Sequence, residues 1–416
     1  MRKDADKIIE YAIQTVLPDK AVKRAINQIQ FGSGKVYLVA IGKASWQMTK
    51  AVYETIGERV EKGIVITKYN HTNGELPNIQ IYEAGHPVPD ENSFQATKKA
   101  VELVSDLQED DSVLLLISGG GSALFEQPLI PFKEIEAITE QLLMSGANIV
   151  EINTIRKRLS AVKGGKFAKI CEPAKVYSII LSDIIGDPID MIASGPAYPD
   201  TSTYKEALDI LLKYKINLTE EARKSISIDT PKELNNVQTC VIGSVKQLCK
   251  AAEIMAKQLG YETILLTDCI QCEAKSVGQL LGYIAQTHKK TIQPKAYIIG
   301  GETVVKVTGT GVGGRNQEIA LSGALEIQGI DNVAIFSVGS DGTDGPTDAA
   351  GGYCDGETVQ ILKEQDIDAV AELENNNSYY ALEKSNGLIK IGATGTNVND
   401  LTMLLIGGKM NKFLNE

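Results

Sequence analysis

Hydrophobic positions along the chain alternate between two patterns: short continuous apolar runs, and longer stretches where apolar residues recur every third or fourth position. The runs Val36–Ile41, Gly63–Thr67, Val113–Ile117, Val176–Leu181, Thr239–Ile242, Thr263–Leu266, Ala296–Ile299, Thr303–Val307 and Val333–Val338 predict strands. Helical spacing marks residues 1–30, through Ile8, Ile9, Ala12, Ile13, Val16 and Leu17, and then Ala44–Ile56, Phe94–Leu107 and Ser244–Leu259. Strands that are apolar on both faces and interleaved with helices predict an α/β fold with a parallel sheet covered on both sides. The polar segment Lys213–Val237 carries Pro231 and two adjacent asparagines, and it predicts a division near residue 235, into domains 1–235 and 236–416. The Gly392–Gly407 stretch is open to either half.

No apolar run approaches the ~18 residues that span a bilayer. The N-terminus leads directly into a charged amphipathic stretch without an apolar signal region, so the expectation is a soluble, cytoplasmic protein with no membrane partner. Lys and Arg number 42 against 53 Asp and Glu, a net charge of −11, which repels nucleic acid. Six cysteines in 416 residues do not form a disulfide framework, and Cys269-Ile270-Gln271-Cys272 reads as two loop cysteines. Three histidines, His71, His86 and His288, are too few and scattered for a histidine metal site.

The glycines cluster just after apolar strands, where parallel α/β proteins bind ligands. There a missing Cβ lets backbone N–H groups converge on an anion. Four junctions have this form: Gly42-Lys43-Ala44-Ser45; Ser118-Gly119-Gly120-Gly121-Ser122; Thr308 through Gly313-Gly314-Arg315-Asn316-Gln317; and Gly339–Gly345. Together they predict an anion or phosphate cleft. Neither a Walker A loop nor a dinucleotide fingerprint after the first strand is present, which disfavours a nicotinamide enzyme.

Lys43 can reach a phosphate or carboxylate from its strand–helix junction, and Arg315 offers a planar fork for an anion. Asp183 and Asp187 follow a buried strand, and Asp341 and Asp344 follow another; such carboxylates can hold Mg²⁺ together with phosphate oxygens and water. Residues 153–166 carry five basic side chains, read as either a solvated face or the local positive field an anionic substrate needs.

These segments resemble the glycerate 2-kinases with a MOFRL C-terminal domain. The resemblance runs through Ala40–Ser45, Ala84–Ser93, Leu116–Leu124, Asn153–Lys166, Leu181–Asp187, Ile192–Pro196, Gly300–Thr303, Gly313–Glu318, Gly339–Asp348 and Gly395–Asp400. It implies a larger Rossmann-like N-terminal domain and a smaller C-terminal α/β domain with the active site in the cleft between them. It also implies ATP as phosphoryl donor, Mg²⁺, and D-glycerate as acceptor at its 2-hydroxyl. The residues matching Lys43 and Arg315 are implied to matter for activity, and Asp183 joins them as a candidate catalytic group. Ser118, Gly119, Gly120, Gly121, Ser122, Gly313, Gly314, Asn316 and Asn397 are expected to bind substrate or phosphate. Asp183 and Asp187 are the expected metal ligands, with Asp341 and Asp344 behind them. A homodimer is compatible with this reading. The family has also carried a hydroxypyruvate reductase label, so an NAD(P)H-dependent reductase and a non-catalytic binder of sugar acids or phosphates remain the alternatives.

Overall fold

The computed structural model describes residues 1–408, so the last eight positions of the expected second domain lie outside the described residues. The chain separates into two compact units. The first comprises Pro18–Ser182 and Asp187–Ile242, and the second Met1–Leu17, Asp183–Gly186 and the chain from Gly243 onward. The single cut expected near residue 235 therefore becomes a transition at Ile242–Gly243, with the N-terminal helix joining the later part of the chain. The helical stretch expected over 1–30 is two helices, Arg2–Val16 and Pro18–Ile26. Pro18 divides them, because proline suits the first turn of a helix but not its interior.

The sheet of the first unit contains β1 (Val36–Ile41), β2 (Val60–Lys68), β3 (Ile79–Ala84), β4 (Ser112–Ile117), β5 (Lys175–Leu181) and β6 (Val237–Gly243), in the order β3-β2-β1-β4-β5-β6. The pairs β1/β2, β2/β3, β1/β4 and β4/β5 are all parallel. β4 is buried along its whole length, as its unbroken apolar run requires. After β1 the chain winds outward through β2 and β3, then returns to add β4 and β5 on the other side of β1. The winding reverses between β1 and β4, and the carboxyl ends of strands at such a reversal form a ligand crevice.

The second sheet contains β7 (Glu262–Ile270), β8 (Lys295–Gly301), β9 (Val333–Gly339), β10 (Gly351–Asp355), β11 (Leu388–Ile389) and β12 (Asp400–Ile406), in the order β11-β10-β9-β12-β8-β7. It is mixed, whereas the first sheet is the parallel one that the sequence predicts. Only β7 and β8 pair in parallel, whereas β12 runs antiparallel to both β8 and β9. The Gly392–Gly407 stretch thus contributes a fully buried central strand of this sheet. Its first residue, Asp400, lies opposite Gly301 at the end of β8 and Gly339 at the end of β9. Thr303–Val307, expected as a strand, is irregular apart from a single bridge at Val304 to Glu273. Cys269 sits within β7 rather than in a loop.

Candidate functional site

In the first unit the winding reversal sets two of the expected loops side by side. The Lys43 N–H donates to the Gly119 carbonyl at 2.9 Å, and the Ala44 N–H donates to Ser118 Oγ at 3.0 Å. Ser118 is buried and its hydroxyl turns back to the Ile41 carbonyl at 3.3 Å. It therefore ties the end of β4 to the end of β1, and its side chain is committed within the fold. Gly120 has φ +86°, and a Cβ there would lie 2.9 Å from the His86 ring and 3.4 Å from Lys43 Cγ. Only glycine lets the loop take this left-handed turn so close to both side chains. Ser122 Oγ lies 3.2 Å from Ser194 Oγ, and Ala193, Ser194 and Gly195 all have positive φ, near +50 to +64°. A run of left-handed non-glycine residues is strained backbone, and such strain clusters at functional sites.

Lys43 carries no ion pair among the described residues. Its backbone carbonyl meets His71 Nδ1 at 3.3 Å. Burial holds the His86 pKa below the usual histidine range, and the charges of Lys43, Lys68 and His71 push it the same way. Sequence reasoning passed over His86 and Ser194 as site residues. Both stand in segments that carried the family resemblance, which was the available signal.

Four of the five basic residues of 153–166 are turned into the fold. Lys163 is fully buried and donates to Glu126 Oε2 at 2.6 Å and to the carbonyls of Ser122 and Phe125 at 3.0 and 3.1 Å. Burial brings its pKa down to about 8 against the opposing charge of Glu126. Lys157 lies 3.4 Å from both Asp190 and Asp200. Arg158, buried, donates to the carbonyls of Ile226, Ile228 and Ser202. Lys166 donates to the carbonyls of Lys157 and Ser160. These four cations staple the loops around the glycine turn instead of facing a ligand.

In the second unit, Arg315 opens the helix Arg315–Ile327. Its Nε and Nη2 donate to Asp400 Oδ2 and Oδ1 at 2.6 and 3.0 Å, and Nη1 lies 3.1 Å from Glu302 Oε1. Burial opposes the charge on Arg315, but hydrogen bonding and attraction to Asp400 outweigh it and raise its pKa. The unfavourable end of the helix dipole is offset by Asp344. Asp344 accepts from the backbone N–H groups of Asn316 and Gln317 at 3.2 and 2.9 Å, and from their side-chain amides at 3.3 and 3.0 Å. With four N–H donors on it, this carboxylate is a helix cap, which removes Asp344 from the candidate metal ligands. The Asn316 side chain is likewise engaged within the fold, fully buried between Asp344 and the Ser337 hydroxyl.

The glycine-rich loop after β8 is likewise not an open anion cradle. The N–H groups of Thr308 and Gly309 donate to Asn376 Oδ1, that of Thr310 to Asn375 Oδ1, that of Gly311 to the Asn375 carbonyl, and that of Val312 to Asn377 Oδ1. Three consecutive asparagines thus occupy five consecutive loop amides. A Cβ at Gly309, Gly311 or Gly313 would collide with Asn375, Asn377 or Ser378, so close packing explains these glycines, Gly313 among them. A Cβ at Gly314 would strike the Asp344 carboxylate, which gives that glycine the same reason. The asparagine triplet escaped sequence reasoning because nothing local ties residues 375–377 to residues 308–312.

Asp341 Oδ1 accepts from the Thr343 N–H at 2.9 Å, and Asn397 Oδ1 accepts from the Asn399 N–H at 3.3 Å. Asp183 follows β5, and Asp187, with φ +50°, has a buried Oδ1 with no hydrogen-bond partner. A cavity of about 710 Å³ opens among Thr303, Val305, Arg315, Glu318, Pro346 and Asn376. No helix of the described residues is long and apolar enough to cross a membrane.

The chain is thus a two-unit α/β protein, with Lys43 free of ion pairs among the described residues on the glycine turn of the doubly wound unit and Arg315 clamped in the mixed-sheet unit. Residues 4–227 match the family described as a domain of unknown function, DUF4147, and residues 295–400 match the MOFRL family. The chain is 49% identical to the D-glycerate 2-kinase of Thermotoga maritima, covering 98% of each chain. It is 40% identical to the glycerate 2-kinase of Pyrococcus horikoshii, over 91% of this chain and 89% of that one. A protein of Agrobacterium vitis bearing a hydroxypyruvate reductase name is 35% identical, over 96% of this chain and 93% of that one. The crystal structure of the Thermotoga maritima glycerate kinase superimposes with a TM-score of 0.93, covering 97% of this chain and 99% of that chain. The chain belongs to the glycerate 2-kinase family with a MOFRL C-terminal domain.

Proposed function

We propose that this protein is an ATP-dependent D-glycerate 2-kinase, forming 2-phospho-D-glycerate and ADP. The observation that carries this reading is the match at 49% identity, spanning 98% of both chains, to a D-glycerate 2-kinase. In the reaction the 2-hydroxyl oxygen bonds to the γ-phosphorus, the bond from that phosphorus to the bridging oxygen of ADP breaks, and the hydroxyl proton leaves. Catalysis of such a transfer is mostly positioning and charge neutralisation. Lys43, unpaired on the glycine turn, supplies a mobile positive charge to an anionic group of the substrates. Gly119–Ser122 shape the turn around it. Arg315, held in one plane by Asp400, presents its remaining N–H groups to a carboxylate or phosphoryl oxygen. Asp183 orients the 2-hydroxyl and receives its proton.

Mg²⁺, when bound, would neutralise charge on the phosphate oxygens. Asp187 is the residue that would hold it, and its unpartnered buried Oδ1 fits a cation. The test is ³¹P NMR of the protein with D-glycerate, ATP and Mg²⁺. A phosphomonoester matching 2-phosphoglycerate, dependent on all three, is expected. A 3-phosphoglycerate signal would retain the kinase and overturn the regiochemistry. Unchanged ATP, with nicotinamide oxidised on adding hydroxypyruvate, would establish the reductase instead.

A further inference from the structure

The three N–H groups of the buried Lys163 ammonium meet three acceptors: the carbonyls of Ser122 and Phe125, at 3.0 and 3.1 Å, and Glu126 Oε2 at 2.6 Å. Ser122 lies in, and Phe125 ends, the short helix Gly121–Leu124 into which the turn at Gly119 and Gly120 runs. Carbonyls at a helix end have no partner inside the helix, and the ammonium supplies one to two of them. The backbone beside Lys163 holds the segment packed on that turn. The N–H of Gly164 donates to the Ser194 carbonyl at 3.0 Å, and that of Gly165 to the Gly195 carbonyl at 2.7 Å, so both bonds land on the strained run Ala193–Gly195. Ser194 Oγ lies 3.2 Å from Ser122 Oγ, and a Cβ on Gly121 would fall 2.8 Å from Ala193 Cβ. Residues 163–165 therefore fix the turn and its neighbour together. The Lys43 N–H, bonded to the Gly119 carbonyl at 2.9 Å, takes its place from the same turn. Stability alone is a poor reason for this arrangement, because apolar residues of similar volume often replace a buried ion pair at no loss. Glu126 adds to the cost, since its Oε1 is buried with no partner.

We propose that Lys163 is a positioning residue for phosphoryl transfer: its ammonium, held by Glu126, fixes the Gly119–Ser122 turn in the shape that sets Lys43 toward the substrates. It acts through the turn and touches no substrate. The inference rests on the kinase reading and adds a residue to it.

Two variants of the full-length protein test it. Lys163→Met combined with Glu126→Leu removes both buried charges at once and is expected to unfold in urea near the wild-type midpoint. Its kcat is expected to be lower by about 10- to 100-fold. The NMR resonance of the His86 ring, which meets the turn at Gly120, should shift. A folded double variant with wild-type kcat, or with His86 unmoved, would overturn the inference. Glu126→Gln keeps the ammonium and its two carbonyls but takes away the opposing charge. The charged groups facing Lys163 are Glu126, Arg156 in the helix Ile149–Leu159 and Lys166 in the helix Lys166–Ile170. Glu126 favours the ammonium, and the two cations oppose it. In the wild type kcat is expected to fall as pH rises through about 8, and in Glu126→Gln the fall should come at lower pH. A profile that does not move would overturn the inference even if the double variant failed to fold. The same fall persisting in the double variant, which retains Lys166, would also overturn it. A wild-type protein that transfers no phosphoryl group to glycerate would overturn the kinase reading and this role with it.

Discussion

Arg315 and Asp400 are joined by two parallel hydrogen bonds, of 2.6 and 3.0 Å, across 85 residues of sequence. Asp400 is almost completely buried, and burial pushes its carboxyl pKa upward against the pull of Arg315. The pair therefore does two things: it fixes the plane of the guanidinium and it neutralises a carboxylate inside the sheet. Arg315→Lys keeps the charge but loses the fork. Its kcat/KM for glycerate is expected to fall by on the order of 100-fold with little change in Tm. Arg315→Met leaves Asp400 buried and unpaired, and, discounted for the partial exposure of Arg315, it is expected to cost on the order of 2 kcal/mol in urea unfolding. Adding Asp400→Leu to Arg315→Met should restore much of that stability and none of the activity.

Lys43 is the opposite case, a cation with no carboxylate partner among the described residues. Lys43→Met is expected to leave Tm unchanged and to reduce kcat/KM by about 100- to 1,000-fold, measured by steady-state kinetics beside a thermal melt. The same substitution has a readout independent of turnover. Lys43 is one of the charges that lower the His86 pKa, after burial. Removing a neighbouring cation favours the protonated ring, so NMR titration of His86 should give a higher pKa in Lys43→Met than in the wild type. An unchanged value would mean that the two side chains do not interact as their approach to Gly120 indicates.

Why some of this was legible in the chain and some was not has physical reasons. Val36–Ile41 and Val113–Ile117 are apolar on both faces, so they had to be central strands, and the glycines after them had to lie at the sheet's carboxyl edge. Lys43 and Gly119–Gly121 were readable for that reason. Four of the five cations of residues 153–166 were not, because sequence shows a charge but not the carbonyls and carboxylates waiting for it. The Lys163–Glu126 pair depends on a fold that brings residues 37 apart into one buried pocket. Spacing was equally silent about the glycines of residues 309–313, whose pattern is the same whether a loop is open to an anion or packed on an asparagine triplet. β12 was missed as a central strand because its pairing with β8 and β9 is antiparallel and reaches back 61 residues or more.

Asn376 is the centre of that packed loop. Its Oδ1 accepts from the N–H groups of Thr308 and Gly309, and its Nδ2 donates to the Lys306 carbonyl and to Glu318. Asn376→Leu is close in size but strands those donors and acceptors. A loss of about 2–4 kcal/mol in urea unfolding is expected, because buried polar groups lose their partners. Asn376→Asp keeps the acceptor oxygen and places a second carboxylate beside Glu318. It should be the less stable of the two at neutral pH and should recover as pH falls.

Asp344 makes the stability of the second unit depend on pH in a defined direction. Burial raises its pKa to about 6 from 3.8, although the N–H groups of Gln317 and Asn316 pull the other way. Below about pH 4 the group is protonated in both the folded and unfolded chains, and its contribution to stability is fully present. Between about pH 4 and 6 the unfolded chain releases the proton while the folded chain holds it, so stability falls as pH rises. Above about pH 7 both forms are ionised and the contribution is constant, lower by about 3 kcal/mol than at the acid end. Asp344→Asn does not titrate and serves as the reference. The wild-type unfolding free energy minus that of Asp344→Asn, followed by urea titration from pH 4 to 8, should decline through this window and then level off. A difference that instead grew with pH would mean that the four N–H donors, rather than burial, dominate at this cap, and that Asp344 is held ionised throughout.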